Sequence, residues 1–208
     1  DKELIKGLIA EYQQFVKSVS FVKRAVTLSD NFNYVFVGLR RVGKSYLMYQ
    51  QIHHLIETGI SPEEILFFNF EDERIAGMDT EHLDMIKRCY EEMYSHRPIF
   101  FLDEIQIVPH WEQFVRRLAD QKYRVYVTGS NAKMLSKDIA TTLGGRFMIQ
   151  YVYPFSFREY LSSNGVQLDK LWIYKNRSEV VRHFDTYFRF GGLPELLSLI
   201  HISEPTRH

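Results

Sequence analysis

Residues 38–45 read Gly38-Leu-Arg-Arg-Val-Gly43-Lys44-Ser45, and this stretch decides how the rest of the chain is read. It fits G-x-x-x-x-G-K-[ST], the phosphate-binding loop. Glycine lets the backbone turn tightly, so that successive N–H groups converge on phosphate oxygens. The loop residues Gly38, Leu39, Arg40, Arg41, Val42 and Gly43, with Lys44, Ser45 and the following Tyr46, are therefore expected to hold the phosphates of a nucleotide. Lys44 adds a point charge for the β- and γ-phosphates, and the Ser45 hydroxyl is a ligand for Mg²⁺. The flanks agree with the motif. Asn33–Val37 is a short β-prone run, and a helical pattern follows from Lys44 to about Glu57, with Gly59 as its stop. That helix aims its positive end at the same anion. The side chains of Arg40 and Arg41 are expected to point away from the phosphates, toward a partner.

Working outward, apolar runs alternate with helical periodicity. Ile65–Phe70, Pro98–Leu102, Tyr123–Val127 and Arg146–Tyr153 read as strands; residues 80–94, the stretch around Trp111–Leu118, and residues 155–163 and 177–190 read as helices. Ser61-Pro62-Glu63-Glu64 reads as a capped turn. Before the loop, Leu4, Ile5, Leu8, Ile9, Tyr12, Phe15, Val16 and Val19 recur at three- and four-residue spacing, which predicts an amphipathic helix. Strands alternating with helices of about 10–15 residues predict an α/β fold around a parallel sheet.

Three further stretches carry chemistry. Ile99-Phe-Phe-Leu-Asp103-Glu104 delivers two adjacent carboxylates to the carboxyl end of a strand, where open α/β sheets bind ligands. Asp103 is expected to hold Mg²⁺ and Glu104 to orient and polarise the water that attacks the γ-phosphate. Val127-Thr-Gly-Ser130-Asn131 ends the next strand. Either Ser130 or Asn131 is placed to sense the γ-phosphate or the water, or simply to cap the following helix. Leu143-Gly-Gly-Arg146 places an arginine after paired glycines. It is read either as an arginine finger, in cis or toward a neighbouring subunit, or as a surface residue paired with an acidic neighbour. The Glu71–Arg74 segment lines the nucleotide mouth or forms a solvated loop.

Composition sets outer limits. The chain has 208 residues, 45% hydrophobic and 25% charged, enough for a sizeable core and incompatible with disorder as the main state. Lys+Arg and Asp+Glu are both 26, so the net charge is zero and a chain-wide polyanion surface is not expected. A local patch for DNA from Arg116, Arg117, Lys122, Arg124, Lys133 and Lys137 stays open. One cysteine, Cys89, excludes an internal disulfide and a cysteine zinc cage. No apolar run reaches the length of a membrane span, and a cytoplasmic location is the default. Residues 197–207, LSLIHISEPTR, resemble residue for residue the translation of a transposase adapter used in sequencing libraries, so 197–208 is expected to be a non-native tail, the alternative being a natural polar one.

Together these segments resemble the AAA-type P-loop ATPases. More narrowly, they are similar to a prokaryotic AAA-like family with GxRRVGKS, LDEIQ and TGSN segments, here Gly38–Ser45, Leu102–Gln106 and Thr128–Asn131. Phe70–Arg74, Trp111-Glu112, Gly145-Arg146, Pro154–Glu159 and Gly191–Glu195 also look like that family. The resemblance covers residues 30–196. It implies a three-layer sandwich with a five-stranded, mostly parallel sheet in the order 5-1-4-3-2. The expected division is an N-terminal helical segment (1–30), an ATPase core (31–153) and an incomplete helical lid (154–196). It further implies Mg²⁺-dependent ATP hydrolysis. Homo-oligomers are one expected partner, and DNA or a protein reached through a C-terminal domain absent here is another. The alternative reading is a slow-turnover, nucleotide-dependent binding module. A GTPase is disfavoured because no N-K-x-D motif occurs.

Overall fold

A computed structural model describes residues 1–130, 138–166 and 168–194. Helix α1 (Lys2–Ser18) starts at Asp1, whose carboxylate accepts a hydrogen bond from the Glu3 N–H. Its buried stripe is Ile5, Leu8, Ile9, Tyr12 and Val16. Leu4 and Phe15, expected on that face, lie at the stripe's edges and are exposed, Phe15 meeting Tyr49 edge-on. An extended segment leads to β1 (Asn33–Val37), the glycine-bounded loop at residues 38–43 and α2 (Lys44–Glu57). Then follow β2 (Ile65–Asn69), α3 (Thr80–Met93), β3 (Ile99–Asp103), α4 (Trp111–Asp120), β4 (Val125–Gly129), α5 (Asp138–Thr142) and β5 (Phe147–Tyr151). The chain continues through α6 (Phe157–Ser163), α7 (Lys170–Lys175) and α8 (Arg177–Phe190).

The five strands form one sheet in the order β2-β3-β4-β1-β5, the expected order read from its other edge. Every pairing is parallel, so the sheet is wholly and not mostly parallel. All residues of β3 and β4 are buried, as strands covered by helix on both faces must be. Phe101 and Tyr126 stack at 4.5 Å between ring centroids across β3 and β4, in register.

Strand limits differ from those read in the sequence by one or two residues. Pro98 has no N–H for the ladder, and the Tyr123 N–H is taken by the Leu118 carbonyl at the end of α4. The ladder instead continues through polar Asp103 and Thr128, because backbone pairing does not depend on side-chain polarity. Helices α5 and α7 are too short to show a hydrophobic period.

Two hydrophobic clusters divide the molecule. The main one joins α1, the sheet and α2–α4. A small one, Phe155, Tyr160, Leu161 and Val166, gathers the segment after β5 and packs against Val22, which precedes β1. Helix α8 has no buried residue. Ser156 and Glu159 form a capping box that starts α6.

Candidate functional site

Because β1, β4 and β3 are neighbours and parallel, their carboxyl ends bring the phosphate loop, Asp103-Glu104 and Thr128–Ser130 to one edge of the sheet. The loop turns through Arg41 (φ 64°) and Gly43 (φ 93°). Gly38 is required by a close approach. A Cβ there would lie 2.4 Å from the carbonyl oxygen of Val152. The loop encloses one side of a cavity of about 910 Å³. Arg40, Arg41, Gly43, Lys44, Ser45, Tyr46, Glu71 and Glu104 line it, and Phe21, Val22, Phe155 and Pro194 add apolar surface.

The loop residues do not all face this cavity. Val42 buries its side chain in the core, and its carbonyl accepts from Arg24. Leu39 is exposed, and its carbonyl accepts from Lys44 Nζ at 3.1 Å. Gly38 sits beneath Val152. Arg40 crosses to Glu71, 3.3 Å between Nη2 and Oε1.

The charged groups interlock. Lys44 is buried, and its Nζ lies 3.5 Å from Glu104 Oε1. Glu104 Oε2 accepts from Ser130 Oγ at 2.9 Å and from Gln106 Nε2 at 2.5 Å. Glu104 also holds a left-handed backbone (φ 53°), a conformation uncommon for a residue with a side chain and typical of sites whose surroundings over-determine them. Asp103 is 3% exposed. Burial pushes its carboxyl up to about 6, against the pull of hydrogen bonds with Thr128 and Ser45; the Glu104 charge adds to the rise and Lys44 opposes it. A buried carboxylate beside a hydroxyl is a hard-oxygen donor set that suits Mg²⁺.

Thr128 is the residue the sequence reading passed over. It is fully buried, and its hydroxyl donates to Asp103 Oδ1 at 2.5 Å while accepting from the Glu104 N–H at 2.8 Å. One side chain thus fixes both carboxylate residues. The available signal was a threonine directly after the apolar run Val125-Tyr-Val, since a buried hydroxyl must find partners. Arg24, in the extended segment before β1, is also buried against the loop and carried no motif.

Ser130 therefore joins the cluster, whereas Asn131 lies outside the described residues. Arg146 does not join it within this chain. It precedes β5 at the amino end of the sheet, about 16 Å of strand from the loop. There it pairs with Asp120, Nε to Oδ1 at 2.5 Å. Within this chain Arg146 therefore sits with an acidic neighbour and not at the cavity. The loop after β2 divides its roles. Glu71 lines the cavity, while Arg74 grips Asp72 and Glu11, with Tyr12 donating to Asp72. Of the basic residues considered for DNA, Arg117 pairs with Asp84 and Arg124 with Asp30, and Lys133 and Lys137 lie outside the described residues.

The family profile described as an AAA domain matches residues 30–161, and the chain belongs to that family. Membership supports a nucleotide-binding, ATPase-like function. The chain is 31% identical over 197 residues to an uncharacterised protein of Methanocaldococcus jannaschii, covering 94% of this chain and 43% of that protein. It is 33% identical over 192 residues to an uncharacterised protein of Haemophilus influenzae, covering 90% and 45%. The chain thus spans less than half the length of these curated relatives. Among solved structures it is similar to C. elegans PCH-2, with a TM-score of 0.52 and 14% identity over 98% of this chain and 63% of that one. It is also similar to the S. cerevisiae Hsp104:casein complex in its extended conformation, with a TM-score of 0.50 and 15% identity over 93% and 36%. These likenesses show the fold. Among the described residues, no helix is long and apolar enough to cross a membrane.

Proposed function

We propose that this chain binds Mg·ATP and hydrolyses its γ-phosphate by in-line attack of water. The observation that carries the reading is the placement of Lys44, Ser45 and Glu104 at one cavity, with Lys44 Nζ buried 3.5 Å from Glu104 Oε1 and Asp103 buried behind them, hydrogen-bonded with Ser45. Loop N–H groups and Lys44 hold the phosphates, and Ser45 and Asp103 hold Mg²⁺. When bound, the ion neutralises charge on the phosphate oxygens. Glu104 accepts a proton from water, and Ser130 keeps its carboxylate aimed. Lys44 leaves Glu104 and the Leu39 carbonyl when phosphate arrives, which frees one carboxylate oxygen for the water. Phe21, Val22, Phe155 and Pro194 offer apolar surface for a base.

A second reading has its own support. The Glu104 carboxylate is already engaged by Lys44, Ser130 and Gln106, so turnover is slow until a partner or a neighbouring copy rearranges the site, and the protein reports nucleotide state. A neighbouring copy is where Arg146 would act, in trans. The partner is a second copy, a protein or DNA engaged through parts of the longer protein.

The test is ATP binding and turnover of the full-length protein beside Glu104→Gln and Lys44→Ala, with and without double-stranded DNA. Turnover in wild type, ATP binding without turnover in Glu104→Gln, and loss of binding in Lys44→Ala support hydrolysis. Wild-type turnover no faster than Glu104→Gln under every condition supports the switch and removes the assigned role of Glu104.

A further inference from the structure

Arg24 is a buried arginine in an extended segment, and its environment is unusual for a linker. Its guanidinium reaches three separate parts of the chain. Nη1 donates to the Val42 carbonyl in the phosphate loop at 3.2 Å. Nη2 donates to the Tyr153 carbonyl just after β5 at 2.6 Å. Nε pairs with Glu159 Oε1 in the first turn of α6 at 2.9 Å, both side chains nearly buried. The guanidinium also lies over the Phe155 ring, 4.8 Å from its centroid. The backbone of Arg24 is held in turn by Gln50 of α2, whose side chain accepts from the Arg24 N–H and donates to its carbonyl. The same Glu159 oxygen accepts from the Ala25 N–H.

A planar, permanently charged fork spreads its donors widely enough to hold two carbonyls and a carboxylate that diverge in this way; the three donors of a lysine all radiate from one nitrogen. Burying such a group is costly unless every contact is made. The contacts join the loop that receives phosphate to the segment that carries α6–α8.

One peptide unit makes the link specific. The Val42 carbonyl and the Gly43 N–H belong to the same rigid trans amide and point in opposite directions. Gly43 lines the cavity, and Arg24 borders it too, 7% exposed, with its fork engaged by the Val42 and Tyr153 carbonyls and by Glu159. A phosphate accepting from that N–H and Arg24 donating to that carbonyl polarise one amide from its two ends, and each strengthens the other. Moving this amide moves the Arg24 fork, and with it Glu159.

We propose that Arg24 is a positioning residue through which phosphate at the loop is sensed by α6 and the helices after it. This rests on the nucleotide reading given above and adds a path by which the bound state leaves the site.

The test is hydrogen exchange of full-length protein with and without Mg·ATP, together with ATP affinity, for wild type, Arg24→Lys and Glu159→Gln. In wild type, ATP slows exchange both at residues 38–47 and in α6. In Glu159→Gln the response at residues 38–47 is kept and ATP affinity changes less than about threefold, because the loop bond remains, while the α6 response is lost. In Arg24→Lys the α6 response is lost and ATP affinity falls about tenfold, the value of a charge-assisted bond. Glu159→Gln keeps the shape of the site, so the test survives if Arg24→Lys folds poorly. Loop protection without an α6 response in wild type overturns this proposal alone. So does a full α6 response in folded Glu159→Gln. Absence of any ATP response in wild type, loop included, overturns the nucleotide reading and this proposal with it.

Discussion

Replacing Thr128 with valine keeps the shape of a fully buried side chain and removes one hydroxyl. Two partners are stranded. The Glu104 N–H loses its acceptor at 2.8 Å, and Asp103 Oδ1 loses its donor at 2.5 Å. A buried unpaired N–H costs about 1–3 kcal/mol, and a bond to a carboxylate contributes about 1.5–3 kcal/mol. Allowing for relaxation and the added methyl, Thr128→Val should destabilise the nucleotide-free protein by about 3 kcal/mol at pH 8, a large part of a typical total. The cost should depend on pH. Burial raises the Asp103 carboxyl to about 6, so the stability tied to its neutral form is present below pH 4 and lost as pH rises through 6. The Thr128 bond favours the carboxylate, so its removal raises that value further and deepens the loss above pH 6. At pH 5, where Asp103 is largely protonated in both folded proteins, the difference should shrink to about 2 kcal/mol. Urea denaturation followed by circular dichroism at the two pH values measures this, with Thr128→Ser, which keeps the hydroxyl, costing less than about 1 kcal/mol. A Thr128→Val cost below about 0.5 kcal/mol at pH 8, or one that grows on acidification, would refute the reasoning.

Asp103→Asn should stabilise the Mg²⁺-free protein by about 3 kcal/mol at pH 8, about two pKa units, with the gain fading as pH falls from 6 toward 4; thermal melts across that range check it. The Arg74 hydrogen bonds hold the Asp72 carboxyl well below the usual range, aided by Tyr12, so Asp72 contributes stability above about pH 4 that is lost on acidification. Asp72→Asn should therefore cost about 1 kcal/mol at pH 7 and flatten the stability profile below pH 4, as followed by acid titration. Arg146→Ala should leave ATP affinity of the dilute protein within about twofold of wild type, since the side chain pairs with Asp120 at the far end of the sheet; a tenfold loss in dilute protein would place it at its own site.

Much of the site was legible because its chemistry is written locally. Gly38–Ser45 needs glycines where the backbone turns and a lysine and serine at fixed spacing, and the run Ile99–Leu102 before Asp103 carries its own burial pattern. Strand order followed from the family resemblance, and it alone brings Asp103 beside Lys44. The role of Thr128 is not legible in its segment, because a bridging hydroxyl shows only when two strands lie side by side. Arg24 had no local signature, for its partners sit at residues 42, 153 and 159, and only folding brings them together.

The boundary falls between groups whose task depends on their own neighbours in the chain and groups whose task depends on groups far along it. Sequence by itself determined the phosphate loop, the paired carboxylates and the α/β alternation, since backbone turns, strand burial and helix starts are short-range properties. Tertiary structure decided which candidates meet. It placed Arg146 at the opposite end of the sheet, turned Arg40 onto Glu71, and set Thr128 between the two acidic residues. Hydrogen bonds and ion pairs act over a few ångströms, and a sequence holds no distances until the sheet has assembled.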